Sequence, residues 1–313
     1  MIQLELSRQF EGKSNVIAFF NLSLALVAVS FAPIFIRFSE TELGANATVF
    51  NRLFIFAVIF GMGKGISHHF SSPPEEAQKQ PITKRQWILL WAVGLISITT
   101  LGLWAISLEY TTVAKSMLLN NLTPVFTSLG GWLFLSKRFD NKFLLGMTIA
   151  LSGAIGLGLE DLHNSDGNLI GDIYALLSAA FLGVYFLVVE QLRNRFSATT
   201  ILLWRCVLGS LFLIPIVVLT ENQFFPASLT AWSGVIGLGI ISEGLGQRLL
   251  ADCMDKFSSG FISLFLLLEP IISAILAWGI LAESLTPITW VGFVVILTGI
   301  YLAQTSNSAI QEP

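Results

Sequence analysis

The sequence predicts an all-α integral membrane protein with ten transmembrane helices arranged as two inverted five-helix repeats. Three observations predict it: a composition too apolar for a water-covered surface, a series of apolar runs of membrane-crossing length, and an ungapped internal match between the two halves.

Of 313 residues, 54% are hydrophobic and only 12% charged, with a mean hydropathy of +0.75. A soluble chain of this length needs far more polar residues to cover itself, whereas a bilayer accepts an apolar exterior over about 20 residues per spanning helix. The net charge is −3 and the basic residues stand singly or in short groups, so no stripe exists for tracking phosphates and no nucleic-acid partner is expected. Cys206 and Cys253 have neither metal-ligand spacing nor a disulfide framework and read as small apolar packing residues.

Apolar runs fall at roughly 16–36, 46–66, 87–108, 114–135, 142–159, 169–189, 199–219, 231–250, 261–281 and 287–304. The first, "NVIAFFNLSLALVAVSFAPIFI", is too long for a signal-peptide core and lacks a small-x-small cleavage site, so it counts as a retained span. Short polar connectors such as "RFSETELGA" and "LSKRFDNK" join the runs, with one longer loop, "SHHFSSPPEEAQKQPITKRQ". The end, "TSNSAIQEP", reads as a disordered tail. With the N-terminus cytoplasmic, the inner flanks hold Arg8, Lys13, Lys64, Lys79, Lys84, Arg85, Lys137, Arg138, Lys142, Arg193, Arg195 and Lys256, against Arg37 and Lys115 outside. Because Lys and Arg resist translocation, both tails, 1–15 and 305–313, are expected in the cytoplasm of a plasma-membrane protein.

The halves match without a gap from Leu118 to Gly153 at a shift of 146 residues, which carries Pro124 onto Pro270, Trp132 onto Trp278, Gly146 onto Gly292 and Gly153 onto Gly299. At a shift of 145, Trp87, Gly94 and Ser97 meet Trp232, Gly239 and Ser242, and Arg52 answers Arg205 at 153. Repeats of five spans, over 16–159 and 169–304, must enter the membrane in opposite senses because five is odd. Inverted repeats are a recurring transporter architecture, with the substrate site near the midplane where the halves meet.

The segments "SMLLNNLTPVFTSLGGWLFLSKRFDNKFLLGMTIALSGAIGL" and "SLFLLLEPIISAILAWGILAESLTPITWVGFVVILTGIYL" resemble the paired C-terminal signatures of EamA domains in the drug/metabolite transporter superfamily. The shared pattern is an apolar helix with a proline, a glutamate in a short turn, then a helix with glycines seven apart. The turn glutamate appears as Glu283, but Lys137 stands at the first-half position. The resemblance implies a ten-helix carrier, commonly an exporter of amino acids or other small metabolites.

Glu269 is the main candidate for substrate binding or coupling. A carboxylate at mid-span costs about 2.5–3.5 kcal/mol on insertion scales. The twelve Leu, Ile and Phe between Phe261 and Ile280 return roughly 4–7 kcal/mol, so the helix still inserts but Glu269 must face water, a partner or a solute. Pro270 frees nearby carbonyls, and Asn120, Thr123 and Pro124 repeat the arrangement on the fourth span with neutral groups. Glu243 and Gln247, four residues apart on one helical face among Gly237, Gly239, Gly244 and Gly246, form a second candidate cavity wall. The rival reading of Glu243 is an internal ion pair with Arg248 or another arginine. Arg52 and Arg205, inside their spans, are expected to have structural partners. Trp104, Tyr174 and Tyr185 could stack on a solute, and Lys115 and Glu109 flank a short outer turn.

"GMGKGIS" lacks the spacing of a phosphate loop, His68-His69 stands without further ligands, and no nucleophile elbow or zinc-protease motif occurs. The expectation is therefore no enzyme, no metal and no cofactor. Its partners are the lipid bilayer, a small-molecule substrate and protons, in a monomer or homodimer. The alternative is a channel or a non-transporting multi-pass membrane protein; a channel would need a continuous ring of like groups, which the scattered polar positions do not supply.

Overall fold

The computed structural model describes residues 2–70, 81–111, 113–161, 169–281 and 287–310. Among them the chain is helical, with an isolated antiparallel bridge between Phe257 and Ile310. The helices are α1 (Ile2–Ser30), α2 (Ala32–Ser39), α3 (Ala45–Phe70), α4 (Lys84–Tyr110), α5 (Val113–Asn120), α6 (Thr123–Leu135) and α7 (Asn141–Asp161) in the first half. In the second they are α8 (Leu169–Arg193), α9 (Ala198–Thr220), α10 (Leu229–Gly237), α11 (Arg248–Cys253), α12 (Ser259–Phe265), α13 (Glu269–Leu281) and α14 (Pro287–Gln304).

Among the described residues, seven helical stretches are long and apolar enough to cross a membrane: 16–39, 45–63, 84–107, 169–193, 198–220, 229–253 and 259–276. They coincide with seven of the ten apolar runs. The fourth run is divided between α5 and α6, and the last contributes a shorter apolar helix, Trp290–Gln304. Large apolar side chains including Trp132, Phe134, Leu211, Leu219, Val291 and Tyr301 stand exposed around the bundle. Water would not support such a surface, and lipid does.

Several long runs are interrupted, each for a local reason. Pro33 opens α2 directly after the bend at Phe31, and Pro124 opens α6 after Leu122; a proline tolerates the first turn of a helix because its missing N–H has no intrahelical partner there. A single 3-10 turn, Leu266–Leu268, precedes Glu269 and Pro270 in the first turn of α13. Between α10 and α11 the backbone widens into a π-helix, Leu238–Gln247. Its glycines sit against neighbours: a Cβ at Gly239 would come within 2.6 Å of Ile55, and one at Gly246 within 2.7 Å of Val29. Ser197, Ser228 and Ser258 cap α9, α10 and α12 through hydroxyls that accept backbone N–H groups.

α7 packs along α14, α4 along α8 and α9, and α3 along α9 and the π segment. α6 meets α8 and α12, while α1 meets the π segment, α11 and α13. The α7/α14 crossing is close because it runs over glycine. A Cβ at Gly299 would lie 2.3 Å from the Ala150 nitrogen, and one at Gly146 would lie 2.6 Å from the Gly299 carbonyl oxygen. A large apolar core joins α1, α8, α12 and α14, and a smaller one around Phe50, Leu53 and Phe56 joins α3 to α9.

Residues 2–15 continue α1. One stretch read as disordered behaves otherwise: the C-terminal stretch is ordered through Ile310. The cause at the C-terminus is hydrogen bonding. Asp140 Oδ2 accepts from the Asn307 amide at 3.2 Å, Ser258 N–H donates to Ala309 C=O at 3.0 Å, and Lys142 Nζ donates to Thr305 C=O at 3.1 Å.

Candidate functional site

The breaks in the fourth and ninth runs face each other across a cavity of about 320 Å³. Trp104 from α4, Asn120 and Asn121 from the α5/α6 break, and Glu269, Pro270 and Ser273 from the start of α13 supply its polar and bending residues; Pro33, Met117, Leu118 and Ile296 supply apolar wall. The α13 end is fixed to α1 at the first bend, where Ser30 Oγ donates to the Glu269 carbonyl at 3.4 Å and Ser273 Oγ donates to the Ser30 carbonyl at 3.0 Å. Among the described residues the Glu269 carboxylate makes no hydrogen bond or close ion pair, but it lies within the electrostatic reach of Arg52.

Two further polar atoms of the wall are buried without a partner, the Trp104 Nε1–H donor and the Asn120 Oδ1 acceptor. Buried polar groups are satisfied in the great majority of cases, and orphans gathered at one cavity mark a place where something polar binds. Sequence reading thus located Glu269, Asn120, Trp104 and Pro270 around one space. Thr123 and Pro124 lie behind it: both are buried, and the Thr123 hydroxyl donates to the Asn120 carbonyl at 2.7 Å, so it serves the helix break and not the wall.

Glu243 needs a correction. It does not line the cavity but is 0% exposed inside an ion triad. Arg52 Nε of α3 donates to its Oε2 at 2.8 Å, and Arg205 Nη1 of α9 donates to Oε1. Arg205 also donates through Nε to Ser97 Oγ at 2.8 Å and lies over the Tyr185 ring, 5.3 Å from its centroid. The pairing is with the two repeat-related arginines and not with Arg248, whose neighbour is Asp252. Gln247, half-buried at the end of the π segment, is likewise outside the cavity wall. Tyr185 belongs to the triad, and Tyr174 packs on Tyr110 at 6.4 Å. The side chains of Lys115, Glu109, His68 and His69, and Glu283 altogether, lie outside the described residues. Among those described, no group of His, Cys, Asp and Glu could hold a metal ion.

Sequence reading missed the opposite end of the bundle. Lys137, which stands where the family pattern has glutamate, pairs with Glu190 of α8; the second oxygen of that buried carboxylate accepts from the Ser259 amide at 2.9 Å. This ties the end of α6 to α8 and α12. Beside it a polar hollow of about 710 Å³ is bordered by Lys137, Asp140, Ser258 and the C-terminal residues Asn307 and Ser308. Burial acts to raise the Asp140 carboxyl, but hydrogen bonds from the Phe143 amide, Ser306 and the Asn307 amide, with the Lys142 charge, hold it below its ordinary value.

An apolar-surfaced bundle of membrane-length helices around a part-open, mostly apolar cavity defines a multi-pass membrane protein. The chain belongs to the EamA-like transporter family, which it matches over residues 16–159 and 169–305. It is 25% identical over 201 residues to "Uncharacterized transporter YetK" of Bacillus subtilis, covering 62% of this chain and 60% of that protein. It is 24% identical over 186 residues to "Probable terminal-alkyne amino-acid exporter" of Streptantibioticus cattleyicolor, covering 59% of this chain and 62% of that one. In both, then, the match spans less than two thirds of the relative's length. One solved crystal structure superposes with a TM-score of 0.73 at 16% identity, over 92% of this chain and 96% of that chain, which shows a shared fold.

Proposed function

We propose that the protein is a secondary carrier for a small polar organic metabolite such as an amino acid, working by alternating access between two inverted five-helix repeats. The observation that carries this reading is the cavity at the paired helix breaks, where Glu269 meets the unpartnered polar atoms of Trp104 and Asn120. A volume of about 320 Å³ is at the small end of the roughly 300–1,000 Å³ usual for ligand sites and suits a metabolite.

The packing supports the repeat. Exchanging each of the first five runs with its counterpart turns the α4/α8 contact into the contact of α1 and α2 with the eighth run, and returns α3/α9 and α7/α14 to themselves. That is the behaviour of halves related by a two-fold axis, and it supports the reading of ten spans in two opposite senses. With both termini cytoplasmic in the plasma membrane, the cavity belongs to the outer half: Trp104 lies late in α4, which starts at the inner side, and Asn120 early in a span that starts at the outer side. The Lys137–Glu190 pair then closes the inner side. The state is outward-open, and export requires the pair to part.

A titratable carboxylate in the path makes protons the coupling ion. The test is reconstitution of wild-type and Glu269→Gln protein in liposomes, with flux of a metabolite panel and solute-driven pH change recorded together. Flux without a change in pH dependence on substitution removes proton coupling; absence of flux for every solute removes the carrier reading.

A further inference from the structure

Resting on that carrier reading, we propose that residues 305–310 act as a strap that holds the inner end of the bundle shut and must release before the Lys137–Glu190 pair can part. The stretch follows the last helix of the second half, yet it bonds both halves. On the first-half side, Asp140 N–H donates to Ser308 Oγ at 2.8 Å, Asp140 Oδ2 accepts from the Asn307 amide, and Lys142 Nζ donates to Thr305 C=O. Ser308 Oγ in turn donates to Arg138 C=O at 3.4 Å. On the second-half side, Ser258 donates through its amide to Ala309 C=O and through its hydroxyl to Ser308 C=O at 2.8 Å, and Phe257 bridges Ile310.

Both anchors are helix heads. Asp140 Oδ1 accepts from the Phe143 amide at 2.7 Å where α7 begins, and Ser258 Oγ accepts from the Phe261 amide at 3.3 Å where α12 begins. The ion pair stands directly beside them. Lys137 precedes Asp140 in the same turn, Glu190 accepts from the amide of Ser259, next to Ser258, and both charged residues line one hollow with Asn307 and Ser308. Drawing the α6/α7 turn away from the head of α12 therefore breaks the pair and pulls the strap off one of its anchors in a single movement. The bonds from Asn307, Lys142 and Ser308 to the strap's partners are exposed, so their groups return to water on release and no buried orphan is left. A net hydrogen bond exchanged with water is worth a factor of about five in an equilibrium. Several of them weight the population toward the closed state and still let it open.

The experiment reads both ends of the protein at once. A single cysteine replaces either Ser259, buried beside the pair with a hydroxyl that has no partner, or Ser273 in the cavity wall, in a background lacking Cys206 and Cys253. Reaction with N-ethylmaleimide is timed on the purified protein in detergent. A chain ending at Thr305 should raise the labelling rate at Ser259→Cys about fivefold or more and lower the rate at Ser273→Cys. Ser308→Ala keeps the chain but removes the hydroxyl that meets Asp140 and Arg138, and should move both rates in the same directions by less. Unchanged labelling at Ser259→Cys in both variants overturns the strap, because the stretch is then idle. A rise there with no fall at Ser273→Cys also overturns it, because it reports fraying of one end and not a change of state. Lys137→Met, measured alongside, separates this outcome from the carrier reading: if it moves both reporters while the strap variants move neither, the strap fails and alternating access stands.

Discussion

Replacing Glu243 by glutamine is the most informative single perturbation of the fold. In the native protein one carboxylate serves two guanidinium groups, so the triad carries one positive charge in excess, and its members are largely enclosed: side-chain exposure is 0% for Glu243, 10% for Arg205 and 19% for Arg52. Glutamine has nearly the same shape but removes the one anion that both arginines bond, leaving Arg52 only the more distant charge of Glu269. Two arginines then face one another with Ser97 and the Tyr185 ring as their remaining described contacts. Breaking a buried pair by removing one partner typically costs about 3–5 kcal/mol. That is a large share of a net stability of about 5–15 kcal/mol, and corresponds to a fall of roughly 5–15 °C in melting temperature. Arg205→Met is the control. It leaves a neutral Arg52–Glu243 pair and fills similar volume, so it should cost less than Glu243→Gln despite losing more hydrogen bonds. The assay is tryptophan-detected thermal unfolding of purified protein in one detergent. A Glu243→Gln protein as stable as wild type, or more stable than Arg205→Met, would refute the charge-balance reasoning.

Other outcomes follow from the same geometry. Lys137→Met strands the buried Glu190 carboxylate and should destabilise by about 3 kcal/mol, while raising thiol labelling at a cysteine placed at Ser258; unchanged labelling would show that the pair does not close that end. Gly299→Val forces a side chain against the Ala150 backbone and should cost about 1–3 kcal/mol or more by overpacking, read as lost melting temperature. Asp140 titrates below its ordinary 3.8 in the folded protein, so its contribution is full above that value and fades as pH falls through the lower folded value. Protection of the Phe143 and Asn307 amides, measured relative to intrinsic exchange at each pH, should fall over that range in wild type and be low and independent of acid in Asp140→Asn.

What the sequence disclosed depended on whether a signal was local. Glu269 was visible because a charge stood in a hydrocarbon run, and the breaks at Pro124 and Pro270 because proline acts on its own turn. The partner-seeking atoms of Trp104 could not be foreseen, since an indole in an apolar helix reads as packing until its N–H is found without an acceptor. Arg52, Arg205 and Glu243 were each legible as buried charges, and the register even related the two arginines. Their meeting spans 191 and 38 residues and is set by tertiary packing alone. Gln247 was placed by the same helical-face logic as Glu243 and missed with it. Glu190 gave no signal at all, because a glutamate in the last turn of a span reads as a solvated flank. The C-terminal stretch misled for the opposite reason: its small polar residues look disordered by composition, yet they are the hydrogen-bonding partners that Asp140 and Ser258 require.

The central claim is that the two halves cross the membrane in opposite senses around the Glu269 cavity. Single cysteines at Arg138 and Glu283, in a background lacking Cys206 and Cys253, would be probed with an impermeant thiol reagent on intact cells and on inverted vesicles. The account predicts Arg138→Cys reacting only from the cytoplasmic face and Glu283→Cys only from the outer one; reaction of both from a common face would contradict it.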